Sequence, residues 1–134
     1  MRLARCLFLV PALLLAGCGV ESVSYAIAPG QALTLVRENP GPWSSEHRRA
    51  MVVMSEPACL VRYRLPPDTG AADRMEVFLA DDGSLVMRDA LGQYRANLAD
   101  CSMALEPKSA GTPGELKGVF EAGPGGSLRF AARK

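Results

Sequence analysis

Apolar and polar residues alternate along most of the chain after Tyr25, which is the pattern of half-buried β-strands. The segment CLVRYRL, residues 59–65, shows it most clearly, because its apolar side chains and Cys59 fall on one side while Arg62 and Arg64 fall on the other. The segment RMEVFLADDGSLVMRD, residues 74–89, places an Asp-Gly pair between two apolar runs, and this predicts a hairpin.

Six further segments predict strands of the same kind. They are SYAIA (24–28), QALTLVR (31–37), QYRANL (93–98), CSMAL (101–105), LKGVFEA (116–122) and SLRFAAR (127–133). In CSMAL, the residues expected on one face are Cys101, Met103 and Leu105. The run RRAMVVMS, residues 48–55, fits either a buried strand or a short helix, although its two adjacent valines favour a strand.

The fold class follows from the spacing of these segments. Short strands about ten residues apart, separated by turns rich in Pro and Gly, predict an all-β fold. We expect an antiparallel sandwich or small barrel of about seven to eight strands. Residues 65–73 and 106–115 are polar and predict two longer loops. No internal repeat is present in the sequence.

A basic and then apolar segment precedes the predicted strands. Arg2 and Arg5 are followed by ten uncharged residues, CLFLVPALLL, which is the layout of a secretory signal peptide. The apolar stretch ends after about 15 residues, whereas a membrane-spanning helix needs about 20. The segment is therefore too short for a permanent span.

This segment ends in LAGC, Leu15 to Cys18, and resembles the lipobox of bacterial lipoproteins. The resemblance implies cleavage before Cys18 and acylation of its sulfur, and two or more acyl chains anchor a protein stably. Because Gly and not Asp stands at position 19, the resemblance further implies the outer membrane, facing the periplasm. The alternative is an ordinary signal peptide followed by an unmodified cysteine.

These assignments divide the chain into a signal peptide (1–17), a lipidated N-terminus with a short tether (18–24) and one all-β domain (25–134). Cleavage removes two of the 15 basic residues and none of the 14 acidic ones, so the mature part is nearly neutral. A neutral chain without a basic cluster gives no indication of nucleic-acid binding. Attachment to the membrane is expected through the acyl chains on Cys18 alone.

Two cysteines, Cys59 and Cys101, remain after cleavage and acylation. The compartment permits disulfides, and a bridge between them would close a loop of about 43 residues, which the chain-entropy model values at roughly 4 kcal/mol. The alternative is a metal site that also uses His47, the only histidine. Zinc ligands usually come in closely spaced pairs, so we predict the disulfide and no metal or cofactor site.

The sequence offers little for catalysis. His47 lies in the polar run SSEHRRA, which is typical of a solvated loop, whereas a nucleophilic triad needs a histidine oriented by a third group. The carboxylate pair Asp81-Asp82 falls in the predicted hairpin turn, where Asp serves the backbone. The segment GPGGS precedes a predicted strand and lacks the helix and lysine of a phosphate-binding loop. We therefore expect no enzymatic activity.

Two features predict partner contacts. Arginines recur on the polar sides of four predicted strands and form either a solvated outer face or a basic stripe for an acidic partner or polysaccharide. These are Arg62, Arg64, Arg74, Arg88 and Arg95. Trp43, the only tryptophan, is either a core side chain or an exposed anchor, since tryptophan is enriched at binding hot spots. The candidate contact residues are Trp43, Arg62 and Arg64.

The stretch from Pro40 to Cys101 is similar to a group of small, uncharacterised proteobacterial lipoproteins. The shared features are a Pro-rich lead into Trp-Ser, an apolar run, a cysteine with arginine after it, a hairpin and a second cysteine. This resemblance implies an envelope lipoprotein with a structural disulfide. The expected function is that of a non-catalytic accessory or structural subunit that binds an envelope protein. Alternatives are a periplasmic inhibitor of a lysozyme-like hydrolase and a small lipid- or ligand-binding barrel.

Overall fold

The computed structural model describes residues 19–41, 43, 45–68 and 74–133. Residues 1–17, predicted as a signal peptide, and Cys18 lie outside the described residues. Ten strands form in the described part, and they are β1 (Val20–Ala28), β2 (Gln31–Glu38), β3 (His47–Ser55), β4 (Cys59–Asp68), β5 (Arg74–Leu79), β6 (Leu85–Arg88), β7 (Gln93–Asn97), β8 (Ser102–Glu106), β9 (Glu115–Ala122) and β10 (Leu128–Ala132). A single 3-10 turn, Pro124–Gly126, joins the last two.

The strands make two antiparallel sheets. One has the order β1-β2-β3-β4, and the other has the order β10-β9-β5-β6-β7-β8. The predicted all-β class is confirmed. The strand number exceeds the seven to eight expected, because every short apolar segment forms a strand of its own. One of these strands contains residues 48–55, and it pairs along its length with both β2 and β4.

The two sheets pack face to face around one apolar core. Leu33, Met51 and Val53 reach it from the four-stranded sheet, and Val77 and Phe120 reach it from the six-stranded sheet. All five are at most 1% exposed, so the alternation read from the sequence does mark the buried sides of these strands. Burial of such side chains is the main force that holds the sheets together.

Both lateral edges of the sandwich are closed by side chains. At one edge Tyr25 of β1 stacks on Phe130 of β10, with ring centroids 4.6 Å apart. At the other edge the predicted disulfide between Cys59 and Cys101 is present, with a Cα–Cα distance of 5.9 Å. Tyr63 adds a hydrogen bond there, since its hydroxyl donates to the carbonyl of Cys101 at 2.6 Å.

The strands run between two ends of the sandwich, which we call the Gly19 end and the Cys59 end. At the Gly19 end, the paired residues of β1, β2 and β3 are Val20, Glu38 and Arg48. At the Cys59 end, the paired residues of β2, β3 and β4 are Gln31, Ser55 and Cys59. The Gly19 end also carries the loop 39–46 and the turn 89–92. The turns 29–30, 56–58 and 98–101 lie at the Cys59 end.

A buried ion pair links the sheets near the Gly19 end. Arg49 of β3 donates to Asp89, which follows β6, with Nη1 and Oδ2 2.7 Å apart, and both side chains are almost fully buried. The rest of the guanidinium donates to the carbonyl of Pro66 at 3.0 and 3.1 Å. The other carboxylate oxygen accepts the backbone N–H groups of Leu91 and Gly92. Every charge of the pair is thus satisfied, as burial requires.

The loop 107–114 crosses the outer face of the six-stranded sheet. It begins where β8 ends, at the Gly19 end, and it returns to the Cys59 end, where β9 starts. Gln93 accepts the N–H of Ser109 at 3.1 Å, and Arg88 donates to the carbonyl of Gly111 at 2.8 Å. On the same sheet Phe78 and Val86 belong to a second buried cluster, separate from the main core, against which Leu116 of β9 packs.

Two expectations need correction. The tether expected over residues 18–24 is already strand from Val20, because β2 extends far enough to pair Glu38 with Val20. The N–H of Asn39 donates to the carbonyl of Gly19 at 3.0 Å and fixes the chain one residue earlier still. Leu105, expected on the same face as Cys101 and Met103, is 71% exposed whereas Cys101 is buried, because β8 is an edge strand and carries Leu105 to the end of the sandwich.

Candidate functional site

An open groove of about 500 Å³ lies on the outer face of the four-stranded sheet, toward the Gly19 end. Arg62 and Arg64 border it from β4, where they pair with Val52 and Ala50 of β3. Arg48 borders it from the start of β3. The alternation that keeps Val61, Tyr63 and Leu65 inside is therefore what directs the two β4 arginines into the groove.

The side chains of the three groove arginines are exposed. No side-chain hydrogen bond or ion pair joins Arg48, Arg62 or Arg64 to another residue in the described part of the chain. By contrast, Arg37, Arg95 and Arg129 each bind a carboxylate. The groove thus concentrates cations that are not neutralised within the described fold.

The carboxylates at the groove offset only part of this charge. Glu38, at the end of β2, and Glu46, just before β3, lie along it. Arg49 also lines the groove, but its charge is taken up by Asp89. The groove therefore has three available guanidinium groups against two carboxylates. Guanidinium groups bind carboxylates and phosphates in a two-pronged geometry, so the groove suits an anionic group of a partner.

The five arginines considered as one stripe do not share a surface. Arg62 and Arg64 lie on the four-stranded sheet, whereas Arg74, Arg88 and Arg95 lie on the six-stranded sheet. Arg88 lies over the Phe78 ring at 5.0 Å from its centroid, and Arg95 binds Glu106 at 2.9 Å. Of the five, only Arg62 and Arg64 lie together on one surface, and Arg48 lies beside them.

Trp43 is exposed at the Gly19 end. Its side chain is 87% accessible, so the alternative that placed it in the core is wrong. The indole lies over Gly41, where an added Cβ would come within 2.9 Å of the ring. A glycine beneath the indole allows this close approach.

Several ionisable groups have shifted pKa values with structural causes. The hydrogen bond from Arg95, followed by that from Gln93, lowers the pKa of Glu106. Asp82 accepts the hydroxyl and N–H of Ser84, and these bonds lower its pKa. Asp82 thus stabilises the β5–β6 turn, as the sequence predicts for Asp81-Asp82. Both carboxylates thus accept hydrogen bonds that hold neighbouring parts of the six-stranded sheet together.

Tyr94 is the one polar side chain in the described residues that is buried without a hydrogen-bond partner. Burial raises the pKa of its hydroxyl, and the negative charge of Asp89 raises it further. Gly92 packs directly above, since a Cβ there would lie 3.1 Å from the hydroxyl. The phenol is therefore held neutral beside the buried ion pair.

His47 begins β3 and is half-buried. It is not among the residues that line the groove. Within the described ranges, no group of three or more His, Cys, Asp or Glu side chains is placed to hold a metal ion.

Sequence reasoning located two of the groove arginines but missed the third. Alternation placed Arg62 and Arg64 on an outer face. Arg48 and Arg49 stand in a run whose strand or helix character was ambiguous, so their faces could not be assigned. The adjacent pair is in fact divided, with Arg48 outside and Arg49 between the sheets.

The fold and the groove together define a disulfide-linked β-sandwich with a cationic groove on one sheet. No family model, curated protein or solved structure matches the chain. None of the described segments forms a helix of the length and apolar character needed to cross a bilayer. The function is therefore argued from the surface and from the predicted N-terminal processing.

Proposed function

We propose that this protein is a lipid-anchored lipoprotein of the bacterial envelope that binds a protein partner as a non-catalytic accessory subunit. Acyl chains on Cys18 would hold it to the outer membrane, facing the periplasm. The observation that carries the partner-binding part is the groove with three exposed arginines that no described residue neutralises. A partner with an acidic segment would supply the missing counter-charges.

The start of the described chain supports the anchoring part. Gly19 is hydrogen-bonded to Asn39, and β1 starts at the next residue. An anchor at Cys18 would therefore be joined to the folded body without a flexible linker. The position and orientation of the groove relative to the membrane would then be fixed, which suits a subunit that meets its partner at a set height.

The packing of the core favours binding at an outer surface and argues against a small ligand carried between the sheets. The space between the sheets is occupied by buried side chains from both, including Leu33, Met51, Val77, Met87 and Phe120. Interiors packed in this way leave little room for a guest. The groove on the outer face is the better place for recognition.

The experiment is affinity purification of the full-length lipidated protein from its own envelope. We expect an envelope protein to be recovered with the wild type, and about tenfold less of it with Arg62→Glu/Arg64→Glu, since loss of a contact worth about 1.4 kcal/mol changes binding tenfold. The matched control is Arg74→Glu/Arg133→Glu, which changes the net charge equally at exposed sites off the groove. Equal recovery with both double variants would contradict a role for the groove.

A further inference from the structure

The exposed apolar side chains of this protein are concentrated at one end. Five large apolar residues in the described part are strongly exposed, namely Val20, Trp43, Leu60, Leu91 and Leu105. All but Leu60 lie at the Gly19 end, as the register shows. Soluble surfaces carry single exposed apolar residues without special cause, but four at one end of a sandwich indicate a contact.

These four residues come from both sheets. Val20 is on β1, an edge strand of the four-stranded sheet, and Leu105 is on β8, an edge strand of the six-stranded sheet. Trp43 lies between β2 and β3, the middle strands of the four-stranded sheet, and Leu91 lies in the turn between β6 and β7, beside the edge strand β8. Leu105 packs on the turn that carries Leu91, since a Cβ on Gly92 would meet its Cδ1 at 3.2 Å. A set of apolar groups that spans an end in this way suits a flat partner more than an inserted peptide.

We propose that the Gly19 end lies on the bilayer surface, with Trp43, Val20, Leu91 and Leu105 in the lipid headgroup region. The inference rests on the proposed acylation of Cys18. Consecutive Cα atoms are about 3.8 Å apart, so an acylated Cys18 is one such step from Gly19, which is itself fixed to Asn39. The anchor therefore forces this end, and not the Cys59 end, against the membrane.

The chemistry of the end fits this occupant. Tryptophan is enriched at membrane–water interfaces, where its ring is apolar and its N–H stays hydrated. Acyl chains supply the strong attachment, and the four side chains add a second contact that fixes the tilt of the body. The strands then stand away from the bilayer, and β1, with nine residues, places the Cys59 end about 30 Å from the surface.

Charge is not what drives the contact. Arg48, Arg74 and Lys108 lie at or near this end, but so do Glu38, Glu46, Asp68 and Glu106. The contact is consequently expected on vesicles of phosphatidylcholine alone, and addition of salt is not expected to release it. The groove arginines, on the outer side of the four-stranded sheet, remain open to a protein partner beside the membrane.

The test uses Trp43 as a depth probe, because it is the only tryptophan of the chain. Purified lipidated protein is reconstituted into phosphatidylcholine vesicles, with or without bromine atoms placed at shallow acyl positions. We expect roughly half of the Trp43 emission to be lost with the brominated lipid, as for a side chain at the interface. The control is Trp43→Phe/Ala58→Trp, which moves the tryptophan to an exposed turn at the Cys59 end. Its emission should not change.

Each outcome bears on the inference. Acylated protein whose Trp43 emission is unquenched, or is quenched no more than that of the control, overturns the membrane contact and leaves the anchoring proposal standing. A blue-shifted but unquenched emission assigns Trp43 to a contact between copies of the protein and also overturns it. If mass spectrometry finds no acyl group on the protein, both the anchoring and the contact that depends on it fail.

Discussion

The buried ion pair between Arg49 and Asp89 gives the sharpest prediction about the fold. The change is Arg49→Met, which keeps an apolar stem of similar length and removes the guanidinium. The carboxylate of Asp89 would retain the N–H groups of Leu91 and Gly92 but would lose its counter-charge at 2.7 Å. The carbonyl of Pro66 would lose both donors.

The size of the effect follows from the burial of the pair. Removal of one partner of a buried pair leaves an uncompensated charge and typically costs about 3–5 kcal/mol. A protein of this size has about 5–15 kcal/mol of stability in total, so the variant is expected to lose a large part of it. With a urea m-value of about 1.5 kcal/mol/M, a loss of about 3 kcal/mol lowers the unfolding midpoint by about 2 M.

The assay is urea unfolding followed by far-UV circular dichroism, since exposed Trp43 is a poor reporter of the core. The matched control is Arg48→Met, the neighbouring arginine, which is exposed and unpaired among the described residues, and it should change stability by less than about 0.5 kcal/mol. Arg49→Met/Asp89→Asn should recover part of the loss, because no buried charge remains. Equal midpoints for Arg49→Met and Arg48→Met would refute the reasoning.

Two further predictions concern the disulfide and the acid side of the stability curve. Replacement of both cysteines, Cys59→Ser/Cys101→Ser, should lower the free energy of unfolding by roughly 4 kcal/mol; a reducing agent should lower it equally in the wild type and leave the double variant unchanged. Hydrogen bonds from Arg95 and Gln93 hold the pKa of Glu106 below the ordinary value of 4.5. The ionised carboxylate therefore stabilises the fold above about pH 4.5. This contribution is lost as the pH falls through the lower pKa of the folded state. Glu106→Gln should therefore flatten the decline in urea midpoint between about pH 6 and pH 3, and an unchanged pH profile would contradict it.

Local alternation was enough to predict much of the fold. It identified the buried side of β4, the β5–β6 hairpin and the strand character of most other segments, because each of these strands buries one face. The cysteines of the disulfide were identified by their number, since Cys59 and Cys101 are the two left after the predicted cleavage and acylation. Local alternation could not predict that the edge strands β1 and β10 lie side by side. Tyr25 and Phe130 stack there because of the order of the strands in the two sheets.

The remaining features depend on tertiary context. Phe78 and Val86 occupy positions that alternation assigns to solvent, but they are buried in a second cluster to which Leu116, distant in sequence, contributes. Arg49 is adjacent to Arg48, and the sequence could not show which of the two is buried. Burial of Arg49 is compensated by its ion pair with Asp89, which lies in the other sheet's part of the chain. Leu105 fits a core position by pattern but lies at the end of an edge strand, where nothing in the described chain covers it.

The candidate surface was predictable in part. Arg62 and Arg64 were placed outside by the same alternation that buries their neighbours. That Arg48 lies along the same groove could be seen only from the register of β3 and β4 and from the groove itself. The exposure of Trp43 could not be predicted from hydrophobic periodicity, because Trp43 and Gly41 lie outside the strands.

The measurement that tests the account most directly is the mass of the mature protein purified from its own membrane. The account predicts an N-terminal Cys18 that carries a diacylglyceryl group, and it predicts that Cys18→Ser leaves the signal segment uncleaved and the acyl mass absent. A mature N-terminus at another residue, or an unmodified Cys18 in membrane-associated protein, would contradict the central claim.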